Sequence, residues 1–292
     1  MHGGSVGADT CGVSTGEFPP DWLAAREVAD GAARARSLLE PLATHLAQHS
    51  GPLEIHDIGA GTGSMRRWLA RRLPGPQHWV LHDSDPRLLA EASRDAPGDE
   101  SSVCADGSPV TVETWRGDLT RLEAGDFAGA ALVTGSAVLD LLTHGEVAAL
   151  ARACAAARCA VLWSLSVTGR VELTPPHALD STFAAAFDAH QRRTTAGRTL
   201  LGPDAPLVAA RALQGHGLTV LRRPSPWNLG NGDHILLSQW LHGWVGAALD
   251  QCPRLIPPSR DYLSQRMHAI RQGTLRAVID HEDLLALPTE RG

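Results

Sequence analysis

The stretch from Leu53 to Ser64, LEIHDIGAGTGS, restricts what this chain can fold into more than any other. A short apolar run with β-branched residues reaches Asp57, and Gly59, Gly61 and Gly63 then alternate with small residues. The next residues, SMRRWLARRL, place Met65, Trp68, Leu69 and Leu73 on one face at helical spacing. Strand, glycine turn and helix in that order let a main chain approach a nucleotide-like ligand closely.

Further strands are expected at regular intervals. His78 to His82 ends in Asp83, which lies 83 − 63 = 20 residues after the last glycine, where an acid reaches ribose hydroxyls in nucleotide folds. Val110 to Trp115 leads to Asp118 and Leu119, and Ala130 to Thr134 leads to Gly135-Ser136-Ala137. Ala160 to Ser166, Leu218 to Arg223 and Leu275 to Ile279 complete a seven-stranded set. This order predicts an α/β fold in which Asp57, Asp83, Asp118, Ser136 and Ser166 share one sheet edge. Ligands of open parallel sheets gather at that edge. Asp85 before Pro86 has the pattern of an N-cap, and Thr143 with Glu146 that of a capping box.

The spacing Asp57-x-Gly59-x-Gly61-x-Gly63 differs from the G-x-G-x-x-G of dinucleotide enzymes. With an acid closing the next strand, it resembles the first two motifs of the class I S-adenosylmethionine-dependent methyltransferases. The resemblance spans residues of about 50 to 170 and is looser beyond. It implies a seven-stranded, Rossmann-like, doubly wound sheet with an N-terminal helical lid and helical cap insertions, and S-adenosyl-L-methionine as cofactor. On that basis Asp57, Gly59, Ala60, Gly61 and Gly63 form the cofactor turn, and Asp83 with Ser84 faces the ribose. Asp118 and Leu119 meet the adenine, and Ser136 and Ala137 flank the methionine end. Arg26, on an N-terminal helix that also carries Trp22 and Asp30 at i−4 and i+4, is the candidate partner for the cofactor carboxylate.

Methyl transfer to a protonated nucleophile needs a base. His190 is the first candidate because an imidazole titrates near neutral pH, and Asp140 is the second. Arg192 and Arg193 offer planar forks for an anionic substrate group. Trp22, Ser166 and Trp227 are candidate substrate-lining residues; Trp240 and Trp244 could line the same apolar pocket, although tryptophans at i and i+4 more often pack a helix against its domain. His45 and His49 have metal-ligand spacing without an evident third ligand, so no metal site is expected.

The division expected is a flexible tail (1–17), a helical lid (18–50), a cofactor-binding core (51–170) and a cap insertion (171–202). The core then continues (203–224), followed by a helical cap insertion (225–273) and the last strand with the C-terminus (274–292). All 26 basic residues are arginine, which excludes a Walker A or Schiff-base lysine. The net charge of −6 argues against nucleic-acid partners. Neither a signal-like N-terminus nor an 18-residue apolar run is present, so a cytoplasmic protein without a membrane partner is expected. Five scattered cysteines fit a reduced compartment.

The expected function is therefore methyl transfer to a small molecule, in bacterial specialised metabolism, by a chain for which a homodimer is allowed. The rival from another class is a non-catalytic cofactor-binding protein that regulates or scaffolds a pathway. A nicotinamide oxidoreductase is disfavoured, since the single tyrosine, Tyr262, has no lysine to act with. The absence of an NPPY-type tetrad after the fourth strand disfavours amino methylation of nucleic acid or protein glutamine.

Overall fold

The computed structural model describes residues 19–94 and 103–289, so the expected tail, with Cys11, lies outside the described residues. Strands β1 (Leu53–Ile58), β2 (Gln77–Asp83), β3 (Val110–Arg116), β4 (Leu132–Ser136) and β5 (Ala160–Thr174) run parallel. A short hairpin, β6 (Thr194–Thr195) and β7 (Arg198–Thr199), stands apart. Strands β8 (Leu218–Pro224), β9 (Trp227–Leu229) and β10 (Arg276–Pro288) finish the large sheet. Its order is β3-β2-β1-β4-β5-β10-β8, with β9 also paired to β10. The chain reverses its winding between β1 and β4, which opens a crevice at their carboxyl ends. Antiparallel β10, inserted between β5 and β8, separates this sheet from the all-parallel dinucleotide order.

Nine helices accompany the strands among the described residues: α1 (Pro20–Ala33), α2 (Leu39–Leu46), α3 (Ser64–Leu69), α4 (Pro86–Ala92), α5 (His144–Ala157), α6 (Asp180–Gln191), α7 (Ala205–Gly215), α8 (His234–Gln251) and α9 (Ile256–Arg271). The central strands are apolar on both faces because helices cover both. Ile55, Leu132, Leu162 and Leu285 pack with Leu42, Met65, Trp68 and Leu69 on one side. Their chain neighbours Val133, Val161 and Leu284 point the other way, onto Val147, Leu150, Cys154 and Leu213. Asp85 caps α4 by accepting from the Arg87 backbone, and Thr143 and Glu146 form the reciprocal box that starts α5.

A third apolar cluster lies beyond the sheet edge, where α6, α8 and α9 bring Phe183, Leu237, Trp240, Trp244 and Tyr262 together. Trp240 and Trp244 stack at 5.4 Å between ring centroids and are buried. They act as packing residues rather than as pocket walls.

Strand β9 and the β6–β7 hairpin are not in the expected set, β4 lies two residues later than its expected range, and two strands run far past their expected ends. β10 continues well past Ile279, and its pairing with β8 runs from Glu282 to Pro288. Register shifts at Ile279/His281 and Glu282/Leu284 break its period-two pattern, which hides the second half from a reading by alternation. β5 likewise runs on to Thr174, because its extension pairs with the first half of β10. Ser166 is consequently in mid-strand and 2% exposed, not at an open strand tip beside a ligand.

Candidate functional site

The glycine turn begins where β1 ends. Gly59 and Gly61 hold φ of +63° and +54°, a left-handed conformation that side chains with a Cβ rarely adopt. A Cβ on Gly59 would also come 2.6 Å from Cγ1 of Val138, so the loop can pass there only without one. Asp83 braces the turn: one carboxylate oxygen accepts from Gly61 N at 2.9 Å and the other from Asp85 N at 2.9 Å. The Ala60 amide donates to the carbonyl of His82, tying the turn to β2. Ser84 follows, exposed, at the β2–α4 junction.

A small cavity of about 50 Å³ lies against this turn, lined by Asp57, Gly59, Ala60, Gly61, Thr62, Ser64, Met65 and Ser136 from the sheet side. Helix α1 closes it with Leu23, Arg26 and Asp30. The methyl of Leu23 would lie 3.3 Å from a Cβ on Gly61, which shows how tightly the lid helix rests on the loop.

The chemistry centres on Asp57. It is 1% exposed, and neither carboxylate oxygen has a hydrogen-bond partner. Burial pushes its pKa up to about 7, with Asp83 adding to the rise while Arg34 and Arg66 oppose it. A buried acid left without donors is expensive in folding terms, so such a group calls for a cationic or donating ligand.

Arg26 reaches the cavity from α1, held by Asp30 at 2.9 Å and stacked 5.0 Å over the ring of Trp227. Trp227 is itself 3% exposed and donates its indole N–H to Asp30 at 3.0 Å. It therefore supports Arg26 instead of presenting a free face to a substrate. Trp22 is half-buried and its ring lies 6.4 Å from that of Trp227.

The series Trp22, Arg26, Asp30 continues by another four residues to Arg34, which the sequence reading did not single out. Arg34 is 2% exposed and donates to the hydroxyls of Ser136 at 3.2 Å and Ser64 at 3.4 Å. Asp283, also unpredicted, is buried and accepts from Ala35 N, Leu165 N and Ser225 Oγ at 2.8, 2.8 and 2.6 Å. It pins the end of the lid helix to the sheet. The repeat at every fourth residue was an available signal for Arg34. Asp283 had none, because its partners are remote in sequence.

The other candidates are spread around this centre. Ala137, at φ +55°, donates its amide to Ser164 O and ends β4 beside Ser136. Leu119 approaches the turn, its Cδ2 lying 3.8 Å from a Cβ on Gly59. Asp118 is exposed, and one oxygen accepts from both the amide and the hydroxyl of Thr120, capping a short 3-10 turn. Asp140 is half-buried, and desolvation of its carboxyl raises its pKa to about 6, opposed first by a hydrogen bond from its own amide and then by the fields of Arg26 and Arg193.

Asp140, His190, Arg192 and Arg193 are not among the residues lining the glycine-loop cavity. His190 contacts the Arg193 guanidinium, which lies 3.3 Å from its Nδ1, and burial followed by Arg193 lowers its pKa. Arg192 makes a two-pronged pair with Asp204 at 2.8 and 2.9 Å, so its fork is occupied within the protein. No helix among the described residues is long and apolar enough to cross a membrane.

No family model and no curated protein matches the chain. Among solved structures, it is similar to a SAM-dependent methyltransferase from Geobacter sulfurreducens in complex with S-adenosyl-L-homocysteine. The identity is 15%, the match covers 93% of this chain and 99% of the other, and the TM-score is 0.43. The cyclopropane synthase MmaA2 from Mycobacterium tuberculosis matches at 13% identity over 85% of this chain and 83% of the other, with a TM-score of 0.42. A precorrin-6y C5,15-methyltransferase from Geobacter metallireducens matches at 10% identity over 87% and 88%, with a TM-score of 0.44.

Proposed function

We propose that the chain is an S-adenosyl-L-methionine-dependent methyltransferase that acts on a small molecule, in bacterial specialised metabolism. One observation carries the reading: Asp57, buried and without hydrogen-bond donors, faces a glycine turn at the switch point between β1 and β4. Its carboxylate suits an ammonium group, and Arg26 in the same cavity suits the carboxylate of the same amino-acid moiety. Asp83 would offer its remaining lone pairs to ribose hydroxyls, and Leu119 would pack on the adenine with Asp118 near its amino group. Ser136 and Ala137 would border the reacting end. When bound, the cofactor supplies an electrophilic methyl carbon on a sulfonium.

The protein's part is to orient the acceptor in line with that carbon and to exclude water, and orientation of this kind accounts for much of a transfer barrier. Asp140, with its raised pKa of about 6, is the favoured base for an acceptor that arrives protonated, with His190 second. Arg193, whose charge acts on Asp140, would meet an anionic substrate group. Helix α1 must lift to admit the cofactor, since Leu23 rests on Gly61 in a cavity of about 50 Å³.

Calorimetric titration with S-adenosylmethionine, S-adenosylhomocysteine and NAD(H) tests the reading. Saturable binding of the first two and not the third supports it, and no binding of either sulfur compound overturns it. Binding without transfer of label from the methyl-labelled cofactor to a broad acceptor panel would favour a regulatory binding protein.

A further inference from the structure

Asp30 is an odd residue to find in the wall of this cavity. It is 4% exposed and borders the same space as Arg26, where a ligand carboxylate is expected, and its own negative charge would repel such a group. Its hydrogen bonds resolve the conflict. One oxygen accepts from Nε of Arg26 at 2.9 Å, and the other accepts from the indole N–H of Trp227 at 3.0 Å. Each oxygen is thus engaged by a donor of the fold.

The first of these bonds decides which side of Arg26 meets the cavity. A guanidinium offers a carboxylate two edges, one through Nε and a terminal nitrogen, the other through Nη1 and Nη2. The Nε edge is spent on Asp30. The flat face lies over the Trp227 ring, 5.0 Å from its centroid, with the Trp22 centroid at 6.0 Å. The Nη1–Nη2 edge is what remains for a ligand.

The second bond makes the first one rigid. Arg26 and Asp30 stand one turn apart on α1, and an i,i+4 ion pair of this kind is weak by itself. Trp227 strengthens it by holding the second oxygen from outside the helix. It is 3% exposed and fixed on β9 by pairing opposite Ile279 of β10. The ring of His281 lies 5.3 Å from it. Nδ1 of His281 is 2.9 Å from the carbonyl of Ile279, and a carbonyl only accepts, so this nitrogen carries the proton. Burial, followed by the charge of Arg26, lowers the pKa of His281 to about 4. The ring is therefore neutral near pH 7 and does not compete with Arg26 for Asp30.

We propose that Asp30 is a positioning residue for the carboxylate of the cofactor, acting through Arg26, and that Trp227 makes β9 part of the same site. On the cofactor reading, which this presupposes, the arrangement also confers a selectivity. Ligands that carry the amino-acid carboxylate depend on Asp30, and ligands that lack it do not.

The test is calorimetric, on the full chain, with S-adenosylhomocysteine and with 5′-methylthioadenosine, which keeps the nucleoside and thioether but has no amino-acid group. Asp30→Asn preserves the shape but cannot serve both donors, because one arm of the amide is itself a donor. It should weaken S-adenosylhomocysteine by about tenfold and leave 5′-methylthioadenosine unchanged. Trp227→Phe keeps an aromatic face and loses the N–H, and should weaken the same ligand by about threefold. In an Arg26→Gln background Asp30→Asn should cost nothing further, since its effect passes through Arg26. A loss against both ligands, or an equal loss with and without Arg26, would make Asp30 a structural residue and overturn the proposal. Tighter binding of S-adenosylhomocysteine to Asp30→Asn would overturn it as well, because the acid would then only compete for the charge of Arg26. A parent chain that binds no S-adenosylhomocysteine would instead overturn the cofactor reading, and the role of Asp30 with it.

Discussion

Two aspartates show how differently the sheet edge and the cap provide partners for a carboxylate. Asp180, in the cap, accepts from Tyr262 Oη at 2.7 Å and from His177 N at 2.8 Å, and pairs with the guanidinium of Arg266, whose side chain is 4% exposed. Burial and then Asp180 raise the pKa of Tyr262, so the phenol remains a donor to the carboxylate. Asp57, at the sheet edge, has neither an accepted hydrogen bond nor an ion-pair partner among the described residues. Asp57 is buried whereas Asp180 is 21% exposed, and both oxygens of Asp180 find donors inside the cap, although Nε of Arg266 does not, while neither oxygen of Asp57 has a donor. A carboxylate whose donors are supplied by the fold specifies packing, and one left without any marks where a ligand can supply them.

Substituting each aspartate tests that contrast most directly. Asp180→Asn leaves Arg266 buried without its counter-charge and should cost about 3 kcal/mol of stability, read as a lower urea midpoint, with cofactor affinity little changed. Asp57→Asn should do the reverse, leaving Tm level or higher while S-adenosylmethionine binding falls by about a hundredfold or more. If Asp57→Asn unfolds the protein and Asp180→Asn abolishes binding, the contrast is wrong.

Asp140→Asn sharpens the comparison on the chemical side. A carboxyl acting as base should take about a hundredfold of turnover with it, while cofactor affinity measured by calorimetry stays put. A profile of kcat in the parent chain should rise as pH passes about 6, the pKa of that carboxyl. His190→Ala serves as the control, and a loss of turnover there with Asp140→Asn unaffected would exchange the two roles.

Arg26→Gln has a smaller expected effect. It removes the cationic wall of the cavity but keeps the length of the side chain, and should weaken S-adenosylhomocysteine binding by about tenfold. Asp30 and Trp227 remain bonded to each other, so the lid should keep its fold. Unchanged affinity would reassign the carboxylate to Arg34, whose Nη2 already contacts Ser136.

How much was legible in advance follows the same line. The glycine turn was, because positive φ and the close approach of Val138 demand glycine and leave a local mark. The caps at Asp85 and Thr143 were legible for the same reason, since each bond spans three residues or fewer. The second half of β10 was not, because two register shifts break its alternation and its partner β8 lies some sixty residues away, as in the pair Arg222 with Glu282. Nor could spacing reveal that Arg192 is engaged by Asp204 or Trp227 by Asp30. Residue types suited to a site are visible in a sequence, but whether a partner already holds them is decided by tertiary contacts.

The finest test of the unpartnered carboxylate is its effect on stability against pH. Asp57 has a folded pKa of about 7, above the ordinary aspartate value of 3.8, so between those limits the native state holds a proton that the unfolded chain has released. Its contribution to stability is therefore full below about 4 and is lost as pH rises towards 7. His82 and His281 have the opposite sign. Burial lowers both to about 4 from 6.5, so the unfolded chain binds the extra protons and stability from these groups rises with pH across that interval. In the parent chain the aspartate thus cancels part of the histidines' slope. Asp57→Asn removes the cancelling group, and its stability should climb more steeply between pH 4 and 6.5, by up to about 1.4 kcal/mol per pH unit. Parallel stability curves for the two proteins would mean that Asp57 is ionised and partnered in the fold, which would remove the observation on which the cofactor site rests.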